Sequence, residues 1–315
     1  MPARNCDRFL AAAMQSVLAQ TWPAVELFVV DDASTDKTLA VAESCADART
    51  TILRGNGQGA AAARNIGLAQ ARGAFIKFLD ADDLINPVMI ASQVQLLSSK
   101  GQDYVAGSTW YRFTGAAPDH ATLKSEPPWE DLDPVSWLVA SFTSDRMMLP
   151  GCWLVPAAVI ARAGNWDATH VRSQNDDTEY FTRVLLASRG VVIAHDAELY
   201  YRSDVPSSLS QDQSEAARQA RLHDYFQIKK ALLAHEDSPR TRDATARNFA
   251  RFVYEIWPRY PALTAQAMAE IDAFTGNKAS LFPAGRLRRL SRVAGYRQML
   301  RLRELIRKFS GTYSK

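Results

Sequence analysis

A chain of 315 residues is long enough for one large domain with an extension, or for two modest domains. Hydrophobic residues make up 47% and charged residues 23%, an ordinary balance for a soluble enzyme, and no apolar run approaches the ~18–20 residues of a transmembrane helix. The net charge of +3 hides an asymmetry: residues 284–315 carry ten Lys/Arg against one acid, a local +9 that leaves −6 for the first 283 residues. Cys6, Cys45 and Cys152 lie far apart with no paired spacing, which argues against a disulfide framework and for a reducing cytoplasm. The N-terminus has no apolar core of a signal peptide, and the five histidines show no zinc spacing.

In chain order, residues 8–19 read as a helix with Leu10, Met14, Val17 and Leu18 at helical spacing, ended by Trp22-Pro23. Residues 26–30 form a continuous apolar run ending in Asp31-Asp32, the pattern of a strand buried on both faces. Ser34-Thr35-Asp36 opens a helix to about Cys45, 51–53 is a strand, 55–59 a loop, and 60–72 a helix stopped by Gly73. A third strand, 75–79, runs into Asp80-Ala81-Asp82-Asp83. Beyond Pro87 come a helix (89–98), a strand (104–113), a proline-rich excursion (116–133) and a strand (150–156). Next are a helix opened by Asn175-Asp176-Asp177 and running to Ser188, and short strands at 191–194 and 198–202. From Gln213 the pattern is helical, including 215–234 and 241–257, and is broken by Pro258, Pro261 and Pro283. Strands alternating with helices imply a parallel α/β sheet, and ligands collect beyond the carboxyl ends of its strands. Both acidic groups sit at such ends, so they are expected to face one crevice.

Three carboxylates in four residues, set behind a buried strand, oppose one another by repulsion and desolvation unless a cation offsets them. A hard ion such as Mg²⁺ or Mn²⁺ takes one or two carboxylates together with a substrate's phosphates, so residues 80–83 read as a metal–diphosphate site. The plainer alternative is a turn in which Asp83 caps the segment that starts at Leu84.

Several motifs fall in order: Ser16-Val17-Leu18-Ala19-Gln20-Thr21-Trp22-Pro23, Val29-Val30-Asp31-Asp32-Ala33-Ser34, Ala63-Arg64-Asn65-Ile66-Gly67, Phe78-Leu79-Asp80-Ala81-Asp82-Asp83 and Asp176-Asp177-Thr178-Glu179. On these residues the first two-thirds of the chain resembles a family 2 glycosyltransferase with the GT-A fold. The resemblance implies a mainly parallel central sheet in a catalytic domain over 1–210, its nucleotide half about 1–115 and its acceptor half about 116–210. A helical extension over 211–315 comes after it. It also implies metal-dependent, inverting transfer of a sugar from a nucleotide diphospho-sugar, a UDP-sugar being favoured, to a saccharide or lipid-linked acceptor. Carried over by position, Asp32 resembles the carboxylate that bonds the nucleotide base, and Arg64 a residue near the diphosphate or bracing the crevice loops. Asp80 and Asp82 resemble the DxD motif, with Asp82 the preferred ligand for Mn²⁺ or Mg²⁺ and Asp83 its substitute or assistant. Asp177 resembles the general base, with Asp176 the nearby alternative and Glu179 a distant third. Arg202, after Tyr200-Tyr201, resembles a residue that contacts phosphate. Trp110, Trp129, Trp137, Trp153 and Trp166 lie around the acceptor region, and a buried tryptophan is more often core than sugar platform.

The chain departs from the resemblance at Met1-Pro2-Ala3-Arg4-Asn5, where the usual opening strand is missing. Either the start is misassigned or a central strand is lost, the latter exposing apolar faces and unpaired main chain. The basic tail mixes apolar residues with Arg286 to Arg307 and is a candidate for docking on an anionic membrane surface, peripheral to the inner face from the cytoplasm. Packing on the catalytic domain is the equal alternative. Nucleic acid is a poorer partner, because the basic residues are confined to the tail and no nucleic-acid module is evident. Two rival functions stay open: a binding or scaffold protein of glycosyltransferase-like fold, and a nucleotidyltransferase using the loop at 55–59.

Overall fold

The computed structural model describes residues 1–119, 123–125, 130–144, 146–205, 209–275 and 295–309. The chain divides into two units, 1–137 with 147–212 and 138–146 with 213–315. Among the described residues no helix is long and apolar enough to cross a membrane.

Parallel strands β1 (Pro2–Ala3), β2 (Leu27–Asp31) and β3 (Thr50–Arg54) form one sheet of the first unit in the order β1-β2-β3. A second sheet holds β5 (Leu84–Ile85), β9 (Gly190–Arg202), β6 (Tyr104–Phe113) and β7 (Lys124–Ser125) in that spatial order. Its centre is the parallel β6–β9 pair, in register from Tyr104 against Gly190 to Phe113 against Arg202. The two short strands expected at 191–194 and 198–202 are thus one, with the register shifting between Ser108 and Thr109, opposite the exposed His195 and Asp196.

Helices α1 (Leu10–Leu18), α2 (Thr38–Cys45), α3 (Ala60–Leu68), α4 (Met89–Lys100), α6 (Ala157–Ala163) and α7 (Asp176–Leu186) complete this unit, and α5 (Pro134–Ser144) begins in it. Burial of Leu10, Ala13, Met14 and Val17 gives α1 one apolar face at helical spacing. α3 stops four residues short of the expected Arg72. Glu26 accepts the main-chain N–H groups of Arg72 (2.7 Å) and Gly73 (3.1 Å), which draws that turn off the helix and onto the start of β2.

Of the opening strand only a two-residue piece, β1, is present: Val30 N donates to Met1 O at 2.9 Å, Asp32 N to Ala3 O at 2.8 Å, and the amino terminus to Phe28 O at 2.8 Å. Met1 and Ala3 make these contacts, so the missing N–H of Pro2 falls on the side away from β2, where the ladder does not need it. Burial, and then Arg64, push the α-amino group down to about 5. The expected third strand, 75–79, is also reduced. Only β4 (Phe75–Ile76) pairs, and it pairs antiparallel with β8 (Val155–Pro156) rather than with β2. Between β2 and residues 75–79 lies an apolar cavity of about 390 Å³, lined among others by Met1, Phe28, Leu68, Phe75 and Phe78.

The second unit contains α8 (Glu215–His235), α9 (Pro239–Ile256), α10 (Pro261–Thr275) and α11 (Tyr296–Phe309). Ser214 caps α8 by accepting the Ala217 N–H at 3.3 Å, and Ser238 with Thr241 forms a reciprocal box at the start of α9. The leading turn of α11 is packed: Tyr296, Met299 and Leu300 are buried, and Tyr296 Oη donates to Ala250 O. Farther along, Leu305 and Ile306 are 51% and 49% exposed. Arg286, Arg288, Arg289 and Arg292, which the tail reading includes, lie outside the described residues, as does Trp129.

Candidate functional site

β2 delivers Asp32 to its carboxyl end, where the side chain is 2% exposed. Its Oδ1 accepts the N–H groups of Gly57 (2.8 Å) and Gln58 (3.2 Å), and its Oδ2 that of Gly59 (2.8 Å). Asp32 therefore clasps the loop 55–59 and retains acceptor capacity for about one more donor. The approach is close enough to require glycine, because a Cβ on Gly55 would stand 2.6 Å from Asp32 Oδ1. Gly59 adopts φ +91° at the start of α3, and a Cβ there would meet Val171 O at 2.8 Å.

The acidic segment folds as a turn between residues 75–79 and β5, with Asp83 N donating to Asp80 O at 3.2 Å. Asp83 is 1% exposed: its Oδ1 accepts the Arg202 N–H at 2.9 Å, and its Oδ2 is buried without a partner. Burial, and then Asp82 and Asp80, push the Asp83 carboxyl well above the usual range, and burial followed by Asp80 pushes Asp82 up to about 6. Arg202 grips this turn from beneath. Its Nε donates to Asp82 O at 3.0 Å and its Nη1 to Gly115 O, while Phe9 and Phe113 flank the guanidinium at 4.7 and 4.4 Å from their ring centres.

Among the described residues no three His, Cys, Asp or Glu side chains converge as a preformed metal centre. The donor set nonetheless fits a hard divalent ion. An orphaned buried carboxylate oxygen on Asp83 and the crowded charge of Asp82 are what a cation would relieve, and such ions take one or two carboxylates when phosphate oxygens complete the shell.

Arg64 joins this turn to α7. From a 5%-exposed position on α3 its Nη2 donates to Asp80 Oδ1 at 2.7 Å and its Nη1 to Asp176 Oδ2 at 2.9 Å. Burial works against the guanidinium's charge, yet Asp80 and Asp176 raise its pKa still further. The plane is held on Trp166, 4.3 Å from the ring centre, and Trp166 stacks in turn on Tyr180 at 4.0 Å. Asn65 clamps the Trp166 main chain in both directions, each bond 2.9 Å. Trp166 is thus a positioning residue for Arg64. In the sequence it is only one of several tryptophans, since the signal that singles it out is a contact across 102 positions of chain.

At the start of α7 the two neighbouring acids differ. Asp176 is committed to Arg64. Burial raises its pKa, with Arg64 opposing and Asp80 reinforcing that rise. Asp177 has no cationic partner among the described residues, and its Oδ1 accepts only the Thr178 N–H (2.6 Å) and Oγ1 (3.3 Å). Burial, and then Asp176, push it up to about 7. Glu179 is 4% exposed and held by Arg183 at 2.6 and 2.7 Å, facing away from this role. Trp153 is core, packed on Trp137 and Phe181. The arrangement brings Asp80, Arg64 and Asp176 into direct contact, with Asp82, Asp83 and Asp177 adjacent in chain. Asp32 and Arg202 hold the loops beside them.

Comparison with known proteins supplies context for this geometry. The family model described as Glycosyl transferase family 2 matches residues 1–151. Streptococcus pneumoniae glycosyltransferase GlyG is 32% identical over 111 residues, covering 34% of this chain and 37% of that protein. Escherichia coli UDP-Glc:alpha-D-GlcNAc-diphosphoundecaprenol beta-1,3-glucosyltransferase WfaP is 35% identical over 99 residues, covering 31% and 39%. The matched part thus spans under two-fifths of these relatives' lengths. Among solved structures, S. aureus TarS 1-349 in complex with UDP-GlcNAc superposes with a TM-score of 0.69 at 17% identity, covering 100% of this chain and 91% of that one. At that identity the likeness is one of fold.

Proposed function

Because residues 1–151 belong to glycosyl transferase family 2 and the chain has the GT-A fold, we propose that the protein is a metal-dependent, inverting glycosyltransferase. Its donor is a nucleotide diphospho-sugar, with a UDP-sugar favoured. The observation that carries this reading is the Arg64 guanidinium held between Asp80 and Asp176, which ties the acidic turn to the start of α7, where Asp177 follows.

The nucleotide lies against the loop 55–59, with the remaining acceptor capacity of Asp32 meeting an N–H of the base. Asp82 and Asp83 would hold Mn²⁺ or Mg²⁺, which when bound stabilises the charge developing on the departing diphosphate. Arg64 fixes the distance between the two carboxylate groups, and Arg202 anchors the acidic turn from below. Asp177 accepts the proton of the acceptor hydroxyl as its oxygen bonds to the anomeric carbon. The bond from that carbon to the diphosphate oxygen breaks on the opposite face, and configuration inverts. With Asp176 already paired to a cation, Asp177 is the base better able to take that proton.

Calorimetric titration of UDP and GDP with and without Mn²⁺ tests the donor site. Wild type is expected to bind UDP in a Mn²⁺-dependent way, and Asp82→Ala to weaken that binding by at least the ~10–100-fold that loss of a mere outer-shell partner brings. Binding that is equal in EDTA, or no nucleotide binding by the folded protein, would overturn the metal-dependent enzyme and favour a scaffold.

The relative that acts on a diphosphoundecaprenol-linked saccharide suggests a lipid-linked acceptor for cell-surface polysaccharide synthesis, met by the protein peripherally at the cytoplasmic membrane face. The exposed Leu305 and Ile306 on a helix that also carries Arg301 and Arg303 support docking on an anionic surface. Changing both to Asp is expected to weaken binding to phosphatidylglycerol vesicles about tenfold or more in a sedimentation assay, with nucleotide affinity unchanged. Unaltered sedimentation would confine α11 to an ordinary packing role.

A further inference from the structure

The chain enters α7 through residues 171–175, and the helix itself does little to fix that entry. Asn175 occupies the N-cap position but makes no side-chain capping bond, and among the described residues the Asp177 carboxylate bonds only Thr178. The placement of this first helical turn therefore depends on what holds it from either side. On one side Arg64 holds Asp176. On the other, the entering segment is wedged between two loops. Val171 packs on the loop 55–59 so closely that a Cβ on Gly59 would stand 2.8 Å from Val171 O and 3.3 Å from its Cα. Gln174 fastens the segment elsewhere. Its Nε2 donates to Leu209 O at 2.8 Å and to Asp212 O at 2.7 Å, so both N–H groups of the amide meet carbonyls 35 and 38 residues along the chain. Those carbonyls belong to a turn closed on itself, with Asp212 N donating to Leu209 O at 3.0 Å. Arg172 also pairs with Asp212, but its side chain is 61% exposed, and an ion pair in water contributes little. The half-buried amide of Gln174 is the firmer tie.

We infer that Gln174 is a positioning residue for Asp177: by tying residues 171–175 to the turn 209–212, it sets where the first turn of α7 presents that carboxylate and keeps it sheltered from water. It acts through the main chain it holds and not on a reacting atom. The inference rests on the glycosyltransferase reading given above, in which Asp177 is the base. Misplacing a reacting group by about 1 Å costs about a hundredfold in rate, so a tether three residues from the base bears on the chemistry.

The test compares wild type, Gln174→Leu and Gln174→Glu, each with and without Asp177→Asn, in thermal melts at pH 4 and pH 8. The first change removes both donors, and the second keeps the shape but turns acceptor oxygens toward two carbonyls. The charged groups that bear on Asp177, namely Asp176, Arg64 and Asp80, are the same in every variant. At pH 8 Asp177→Asn is expected to raise the melting temperature of wild type by several degrees, because it removes a sheltered charge. In either Gln174 background that gain should fall by about half or more, since a loosened segment admits water to the carboxylate. At pH 4 the gain should be near zero in all three backgrounds. An equal gain at pH 8 in all three would overturn the inference, leaving Gln174 a contributor to stability with no hold on Asp177.

Mn²⁺-dependent UDP binding, titrated alongside, should stay within about twofold of wild type in the Gln174 variants. A fall of about tenfold or more would also overturn the assignment, because Gln174 would then act through Val171 and Gly59 on the nucleotide. If wild type binds no UDP while the gain from Asp177→Asn still depends on Gln174, the tether stands and the glycosyltransferase reading falls. Should one Gln174 variant fail to fold, the other carries the comparison.

Discussion

Replacing Asp177 by Asn is expected to lower turnover by about a thousandfold, within the ~10²–10⁴ range that a positioned general base contributes, while Mn²⁺-dependent UDP binding stays intact. The wild-type rate should rise with pH through about 7 and then level off, because the carboxyl must lose its proton before it can accept another and burial holds its pKa near that value. The residual rate of Asp177→Asn should lack this step. Stability carries an independent sign. The folded pKa lies above the ordinary 3.8, so the fold favours the protonated carboxyl, and ionising it costs stability as pH rises from about 4 to 7. Asp177→Asn should therefore melt at the same temperature as wild type below about pH 4 and several degrees higher above pH 7. Thermal melts at the two extremes check the burial, and steady-state rates across the range check the chemistry. A variant with full activity at pH 8 would remove Asp177 from the mechanism and return the role to Asp176.

Arg64→Met carries the largest expected effect on stability. It retains much of the side chain's bulk but leaves Asp80 and Asp176 without the cation between them. Removing one partner from a buried ionic group costs about 3–5 kcal/mol, because the charge left behind is uncompensated. Urea denaturation should show a loss of that order. Arg64→Lys should recover little, since an ammonium cannot donate along two edges of one plane while lying flat on Trp166. Adding Asp176→Asn to Arg64→Met should return part of the loss, and the double-mutant cycle then measures how much of it was stranded charge. Strictly additive losses would mean that Arg64 acts through packing on Trp166 alone.

The acidic turn, the strand running into Asp31-Asp32 and the helix opened by Asp176-Asp177 were legible because their signals are local. Apolar runs, helical spacing and clustered charge arise from a few consecutive side chains. The same locality explains the misreadings. Residues 75–79 look like a full strand from their hydrophobicity, but a strand is completed by its neighbour, and only Phe75 and Ile76 find one. Val191 to Arg202 looks like two strands because His195 and Asp196 are polar, whereas the unbroken partner strand Tyr104–Phe113 keeps it one. Pro2-Ala3 carries no strand pattern, yet the carbonyls of Met1 and Ala3 accept the N–H groups of Val30 and Asp32.

By itself, then, the sequence determined which residue types are available for chemistry and at which strand or helix ends they stand, since burial of apolar runs and desolvation of charge leave those ends little choice. Only the tertiary structure decided how they are employed. It made Asp32 the clasp of a glycine loop, Arg202 the anchor of the acidic turn and Arg64 a bridge seated on Trp166. It also left Asp177 without a cation among the described residues while committing Asp176 to one. The physical reason is range: a carboxylate's partner and pKa depend on groups within a few ångströms, and those groups lie up to 120 residues away along the chain.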